Sequence, residues 1–366
     1  MTRESLSNRD WLRIVDSLGG EAFLNDSGRE TKAFLRARVV TSAVDLLRLV
    51  LSYCLSSGGL RGAAAWASAV GLANMTDVAL LYRLRQCGTW LERLVARALE
   101  QRTPAPAQGR LIRIVDGSIV PKAGRSARKK NQVWRIHAAF DLPLERFGAF
   151  ELTDEKGGEQ IDRLPVVPGE IRIGDRAYMQ PERIAAVIEA GGDIVVRAPW
   201  SNLAGLDAEG KPLDLIAVLR EAAPKGGLDR PIFVKRKGKP ALALRLVACK
   251  KAPQAAEAAR REARRAALKH GHTISKATLE AADFVIIVTS LSHETYSTAD
   301  ILDLYRLRWR IELGFKRLKS LIGLAGPPGV DQRSAKPWIL AHLLAILLLE
   351  PFVDELEDSP RWPIAA

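Results

Sequence analysis

Residues 298–320 read TADILDLYRLRWRIELGFKRLKS, with no proline and a single glycine. A run of this kind predicts one long helix. At about 100° per residue, with Tyr305 set at zero, Arg308 falls at roughly 300°, Glu312 at roughly 340° and Lys319 at roughly 320°. Leu304, Leu307, Ile311, Phe315 and Leu318 fall between roughly 200° and 280° on the same wheel, so an apolar face adjoins this polar stripe. Arg306, Arg310 and Arg317 point elsewhere, toward solvent or a polyanion. A surface helix ordinarily puts its charges opposite its apolar face. Here one carboxylate sits among cations at the edge of the buried face, which suits a site. Plain i,i+4 ion pairs, Arg308 to Glu312 and Glu312 to Lys316, would give the same spacing for a few tenths of a kcal/mol.

The chain around this helix has 366 residues, 47% of them hydrophobic, enough for a sizeable core and two or three domains. Its net charge of +13 is spread along the sequence and points to a polyanionic partner, nucleic acid before anionic membrane. Cys54, Cys87 and Cys249 are far apart, which indicates neither a disulfide framework nor a zinc site. The first residues, MTRESLSNRDW, lack the apolar segment of a secretory signal, and the apolar run 338–349 contains His342 and is too short to span a bilayer. The expectation is a soluble cytoplasmic protein.

Residues up to about 100 carry helical periodicity, as in Val40, Val44, Leu47 and Leu51. Residues 60–86 read as helix, Gly-containing turn and second helix, capped by Asn74 or Thr76. A helix-turn-helix would put Tyr82, Arg83 and Arg85 on its second helix, toward phosphates or bases; a plain αα-hairpin has the same pattern. The Pro/Ala-rich stretch QRTPAPAQGR, 101–110, marks a boundary.

Strands follow. LIRIVD (111–116) is a short apolar run that stops at Asp116, and VWRIHAAFDL and RFGAFELTD read as its neighbours. The intervening loop carries Lys122, Arg125, Arg128, Lys129 and Lys130 and is either solvated or a phosphate contact. IRIGD (171–175) repeats the pattern of a brief strand stopping at aspartate, then helix 181–190 and strand DIVVRAP. Two such strands in a β/α sheet place Asp116 and Asp175 along one edge, where such folds build sites. Either aspartate alone could be a cap or a turn former. Residues 200–282 interrupt the sheet pattern and read as an insertion, whose Ala/Arg helix could lay Arg260, Arg261, Arg264 and Arg265 on DNA or on solvent. His270 and His272 have no third ligand near them in sequence. FVIIVTS (284–290) reads as a strand covered on both faces, and an apolar helix from Trp338 ends at Pro351.

Tyr305, Arg308, Glu312 and Lys319 have the spacing Y-x2-R-x3-E-x6-K, which resembles the signature of DDE transposases of the bacterial insertion-sequence family number four. VDGS (115–118) and GDRAY (174–178) look like that family's first and second acidic regions, and the resemblance covers about residues 111–349. It implies an α/β fold: an RNase H-like catalytic core with a β-rich insertion, preceded by an all-helical N-terminal domain. The implied division is 1–105 for DNA binding, 106–199 and 284–366 for the two parts of the core, and 200–283 for the insertion. Asp116, Asp175 and Glu312 become a metal-binding catalytic triad. Tyr305, Arg308 and Lys319, with Arg176, Tyr178 and Lys316, become DNA contacts. One departure is Ala177, where the family usually has Gly; a left-handed backbone there would strain an alanine. Trp200 is either a structural tryptophan or a surface on which a base stacks.

Three carboxylates without His or Cys suit two Mg2+ ions, with Mn2+ as substitute. The implied activity is cut-and-paste transposition on double-stranded DNA, at terminal inverted repeats and target, by a homodimer in the synaptic complex, in the bacterial cytoplasm beside the nucleoid and with no membrane partner. A transposase-derived DNA-binding protein that no longer cuts, and an RNase H-like nuclease that only hydrolyses, are the alternatives.

Overall fold

Helix periodicity before residue 100 and strand patterning after 111 divide the computed structural model, which describes residues 3–100, 109–123, 133–201, 203–320 and 322–356. The linker at 101–108 and the basic loop at 124–132, with Arg125, Arg128, Lys129 and Lys130, lie outside the described residues. The N-terminal helices are α1 (Arg3–Ser17), α2 (Gly20–Glu30), α3 (Ala43–Leu55), α4 (Gly59–Ala69), α5 (Asp77–Gln86) and α6 (Gly88–Glu100). Thr76 caps α5 by accepting from the Ala79 N–H, so the second of the two anticipated caps is the one used.

The strands are β1 (Ile112–Pro121), β2 (Val133–Asp141), β3 (Arg146–Thr153), β4 (Ile171–Gly174), β5 (Asp193–Arg197), β6 (Gly205–Leu206), β7 (Gly227–Arg236), β8 (Lys239–Lys250) and β9 (Phe284–Thr289). They form one sheet in the order β3-β2-β1-β4-β5-β9-β8-β7-β6. β1, β4 and β5 run parallel, and the other pairings are antiparallel. α7 (Pro181–Glu189) crosses from β4 to β5, and α8 (Leu215–Ala222), α9 (Pro253–Lys269) and α10 (Lys276–Ala282) accompany the far half of the sheet.

Two expectations change here. The segment 200–282 does not interrupt the sheet: β8 pairs with β9 along six residues, so the strands of this segment extend the sheet already formed. Asp116 is not at a strand's end. β1 runs on to Pro121 because β2 pairs with it throughout, with Asp116 opposite Ala138, whereas the pairing of β1 with β4 stops at Ile114 and Ile173. Asp116 therefore sits just past a fork in the sheet, beyond the carboxyl end of the parallel pair.

The long helix is α11 (Thr298–Arg306), a 3-10 turn over Leu307–Trp309, and α12 (Arg310–Ser320). Ser297 and Asp300 form a capping box at its start. At 3.0 rather than 3.6 residues per turn, the 3-10 residues rotate the wheel by about 60° in total, so the polar stripe is offset across them. Ile311, Phe315 and Leu318 are buried as their spacing demands. Gly314 lets α12 lie close on the sheet: a Cβ there would stand 2.9 Å from Phe147 Cζ and 3.2 Å from Phe140 Cε2.

α13 (Gln332–Leu356) passes through both Pro337 and Pro351 rather than ending at the second. Ile339, Leu340, Leu343, Leu344 and Leu347 are each at most 3% exposed. At about 1.5–3 kcal/mol per buried side chain, this burial outweighs the roughly 3 kcal/mol cost of an interior proline. Residues 332–352 are long and apolar enough to cross a membrane, but 72% of the most apolar window is buried inside the protein. The helix packs on α3, α5 and α6 in one core with one face of the sheet.

Candidate active site

Two strands and one helix bring the acidic residues toward the fork. The Asp116 Oδ1 atom accepts from the Gly117 N–H at 2.8 Å. Asp175 follows the last residue of β4 and caps the 3-10 turn Arg176–Tyr178, accepting from the Ala177 N–H at 2.7 Å. Burial, then the nearby Asp175 and Glu159 carboxylates, push Asp116 up to about 6, against the pull of the Gly117 N–H and the Arg308 guanidinium.

α12 carries Glu312 to the same cleft. Asp116, Gly117, Glu312, Phe315, Lys316, Lys319 and Ser320 line one open hollow of about 540 Å³. Arg308 stands between the acids, with Nη2 2.6 Å from Glu312 Oε1 and Nη1 3.9 Å from Asp116 Oδ2. The i,i+4 pair of Arg308 and Glu312 is therefore present, and the same guanidinium also faces Asp116. Among the described residues, no group of three His, Cys, Asp or Glu side chains is assembled around a point that could hold a metal ion. The Arg308 guanidinium supplies the neutralising charge between Asp116 and Glu312.

Tyr305 lies on the other side of the 3-10 turn. It is in hydrogen-bonding contact with Arg197, and burial raises its pKa. With Arg176, Arg197, Trp200 and Lys251 it lines a second hollow of about 910 Å³, walled by α9. Burial and the charges of Arg197 and Arg176 lower the Lys251 pKa, and its Nζ donates to the Ala282 carbonyl at 2.6 Å. Arg197 and Lys251 were not evident from the sequence because the first ends, and the second follows, a strand that looks purely structural. His270 and His272 also border this hollow without forming a metal site among the described residues. On α9, Arg260 is held by Asp283 at 2.5 Å and Arg261 faces Glu257 at 3.7 Å.

Two expectations about the second acidic region are corrected. Tyr178 is only 2% exposed and packs under Gly174, whose Cβ would stand 3.0 Å from the tyrosine's own; it supports the Asp175 turn and has no surface to offer DNA. Ala177 is not left-handed: among the described residues outside glycine, only Lys32 and Glu145 have positive φ. Alanine fits this turn without strain, which removes the backbone reason for doubting the motif.

Residues 107–348 match the family model described as the transposase DDE domain. The chain belongs to this family of DDE transposases. It is 34% identical over 362 residues to the putative transposase InsL for insertion sequence element IS186A of Escherichia coli K12, covering 97% of this chain and 96% of the relative. It is 35% identical over 365 residues to the transposase for insertion sequence element IS421 of Escherichia coli, with the same coverage. The mixed α/β architecture with its nine-stranded sheet is consistent with a DDE transposase domain.

Proposed function

We propose that this chain is an insertion-sequence transposase of the family-four type, which binds the terminal inverted repeats of its element and catalyses metal-dependent strand cleavage and strand transfer. The observations that support this reading are that Asp116 lies beside Asp175 at the fork between β1 and β4, and that Glu312 lines the same hollow as Asp116. The strand order β3-β2-β1-β4-β5, with β4 and β5 parallel to β1, supports an RNase H-like core. We assign 106–199 and 284–366 to that core, 200–283 to the insertion and 1–105 to DNA binding, with the exposed Tyr82 of α5 facing solvent for that purpose.

The donor set fits a hard divalent cation. Three carboxylates are oxygen ligands of the kind Mg2+ takes, and Asp116 and Asp175 are close enough for the charge of one to act on the other. Asp116, Asp175 and Glu312 would hold two Mg2+ ions, with Mn2+ as substitute, and Glu312 would exchange Arg308 for that role. When bound, such ions activate the attacking oxygen and stabilise the leaving one. Water attacks the phosphorus at the element's end and a 3′-hydroxyl leaves. That hydroxyl then attacks a target phosphorus, displacing a target 3′-oxygen, with no protein-bound intermediate.

Arg308, Lys316 and Lys319 hold phosphates beside the carboxylates, and Tyr305 and Arg176 receive the strand at the second hollow. The reaction requires two ends, so a homodimer forms in the synaptic complex. The protein works in the cytoplasm, on nucleoid DNA. The test is incubation of duplexes carrying the element's ends with Mg2+ or EDTA and a target plasmid. Metal-dependent nicks at fixed termini and joined products are expected. Nicks without joining would support the hydrolytic nuclease, and binding without nicks would support the non-cutting DNA-binding protein.

Lys319 is exposed on the rim of the cleft and has no carboxylate partner described within salt-bridge distance. Lys319→Ala should weaken end binding and lower the slope of log K against log salt by about one unit, because one fewer counterion is released. An unchanged slope would make this lysine structural.

A further inference from the structure

The ladder that would set the spacing between Asp116 and Asp175 is missing where it is needed, because β1 and β4 part after Ile114 and Ile173. The segment between β3 and β4 fills the gap. Glu159 lies over the backbone that follows Asp116: a Cβ on Gly117 would stand 2.7 Å from Glu159 Oε1. Arg135 of β2 holds that oxygen at 2.6 Å. The main-chain carbonyl of Glu159 accepts from Gln180 Nε2 at 2.8 Å, and the same nitrogen donates to the Ala177 carbonyl at 2.9 Å. Ala177 in turn donates its N–H to Asp175. One continuous set of contacts therefore runs from the residue beside Asp116 to the carboxylate of Asp175.

The strap is itself anchored. Arg172 of β4, fully buried, donates to the Ile161 carbonyl at 2.5 Å and also to the Pro165 carbonyl. Arg163 Nε donates to the Gly158 carbonyl at 2.9 Å. Neither Glu159 nor Gln180 belongs to the acidic motifs, and neither needs to reach DNA or a reacting atom.

We propose that Glu159 and Gln180 are positioning residues, which fix the separation of the Asp116 and Asp175 carboxylates across the fork and so set the affinity of the site for divalent cations. The inference rests on the reading of those aspartates as ion ligands given above. Outer partners that orient ligands typically alter metal affinity by about 10–100-fold when removed. Gln180→Ala deletes both donors while leaving each carboxylate in place. Glu159→Gln keeps the carbonyl and the volume but loses the ion pair with Arg135.

The experiment titrates Mn2+ into the full-length protein, following free Mn2+ by electron paramagnetic resonance, for wild type, Gln180→Ala, Glu159→Gln and Asp116→Asn. Melting temperature and end-duplex affinity at fixed salt are measured alongside. For Gln180→Ala, Mn2+ binding about tenfold weaker is expected, with the Mg2+ concentration for half-maximal cleavage rising in step, while melting temperature and duplex affinity hold. Glu159→Gln should shift in the same direction by less. Unchanged Mn2+ affinity in Gln180→Ala, or weakening that only accompanies a lower melting temperature, would overturn the bridge. Equal Mn2+ binding by wild type and Asp116→Asn would instead overturn the ligand assignment, and the bridge with it.

Discussion

Glu312→Gln lowers the rate of end cleavage by at least roughly 10²–10³-fold, the scale on which a single charge-stabilising group acts in a transition state, while affinity for end duplexes changes by no more than about twofold. The fold gives reason to expect so clean a separation. Glu312 is exposed, and α12 is held by the buried side chains of Ile311, Phe315 and Leu318 on the adjoining face, so the amide disturbs no packing. Glutamine can still accept from Arg308, which preserves the i,i+4 contact. What disappears is the negative charge that completes the acidic set with Asp116 and Asp175. A gel-based cleavage assay with Mg2+, run beside a binding titration in EDTA, decides the matter. A variant cutting at more than about a tenth of the wild-type rate would remove Glu312 from the catalytic set.

Asp116, Asp175 and Glu312 could be singled out as candidates in the sequence because residue type and spacing are what such chemistry would require. The apolar faces of α12 and β9 were legible for a related reason, since burial demands a period and the period is visible. Partners were not. The strands of 200–282 were readable as strands, yet nothing in ALALRLVACK says that it will pair with FVIIVTS and continue one sheet. The 3-10 turn at Leu307–Trp309 was hidden because i,i+3 and i,i+4 spacings look alike over a single turn. Pro351 was overweighted because the local cost of proline was visible while the burial of α13 against α3 and α6 was not. Tyr178 followed its motif onto the list of DNA contacts, although its ring is what the Asp175 turn rests on. Glu159 and Gln180 had no signal at all, since a loop glutamate and a glutamine before a helix are ordinary residues until the fork in the sheet gives them a task.

Arg172→Ala lowers the stability of the protein by about 3–5 kcal/mol, the usual result of removing one member of a buried ion pair. Arg172 and Glu170 are both fully buried and hydrogen-bonded to each other, and Glu170 also accepts from Arg113 Nη1 at 3.2 Å. Arg113 is itself shared with Asp141, at 2.6 Å from Oδ1. Truncating Arg172 therefore leaves Glu170 with half its compensation, leaves the Ile161 and Pro165 carbonyls without their donor, and opens a cavity beneath β4. Burial already holds the Arg172 pKa below that of a free guanidinium, a cost that the Glu170 carboxylate partly offsets. Arg172→Met combined with Glu170→Leu should recover part of the loss, because no carboxylate is then left buried without its partner, although the Ile161 and Pro165 carbonyls still lack their donor and Arg113 keeps only Asp141. Urea denaturation of the three proteins measures this. A loss below about 1 kcal/mol in Arg172→Ala would show that water reaches the pair, since exposed pairs contribute no more than that, and the strap over the fork would then need another anchor.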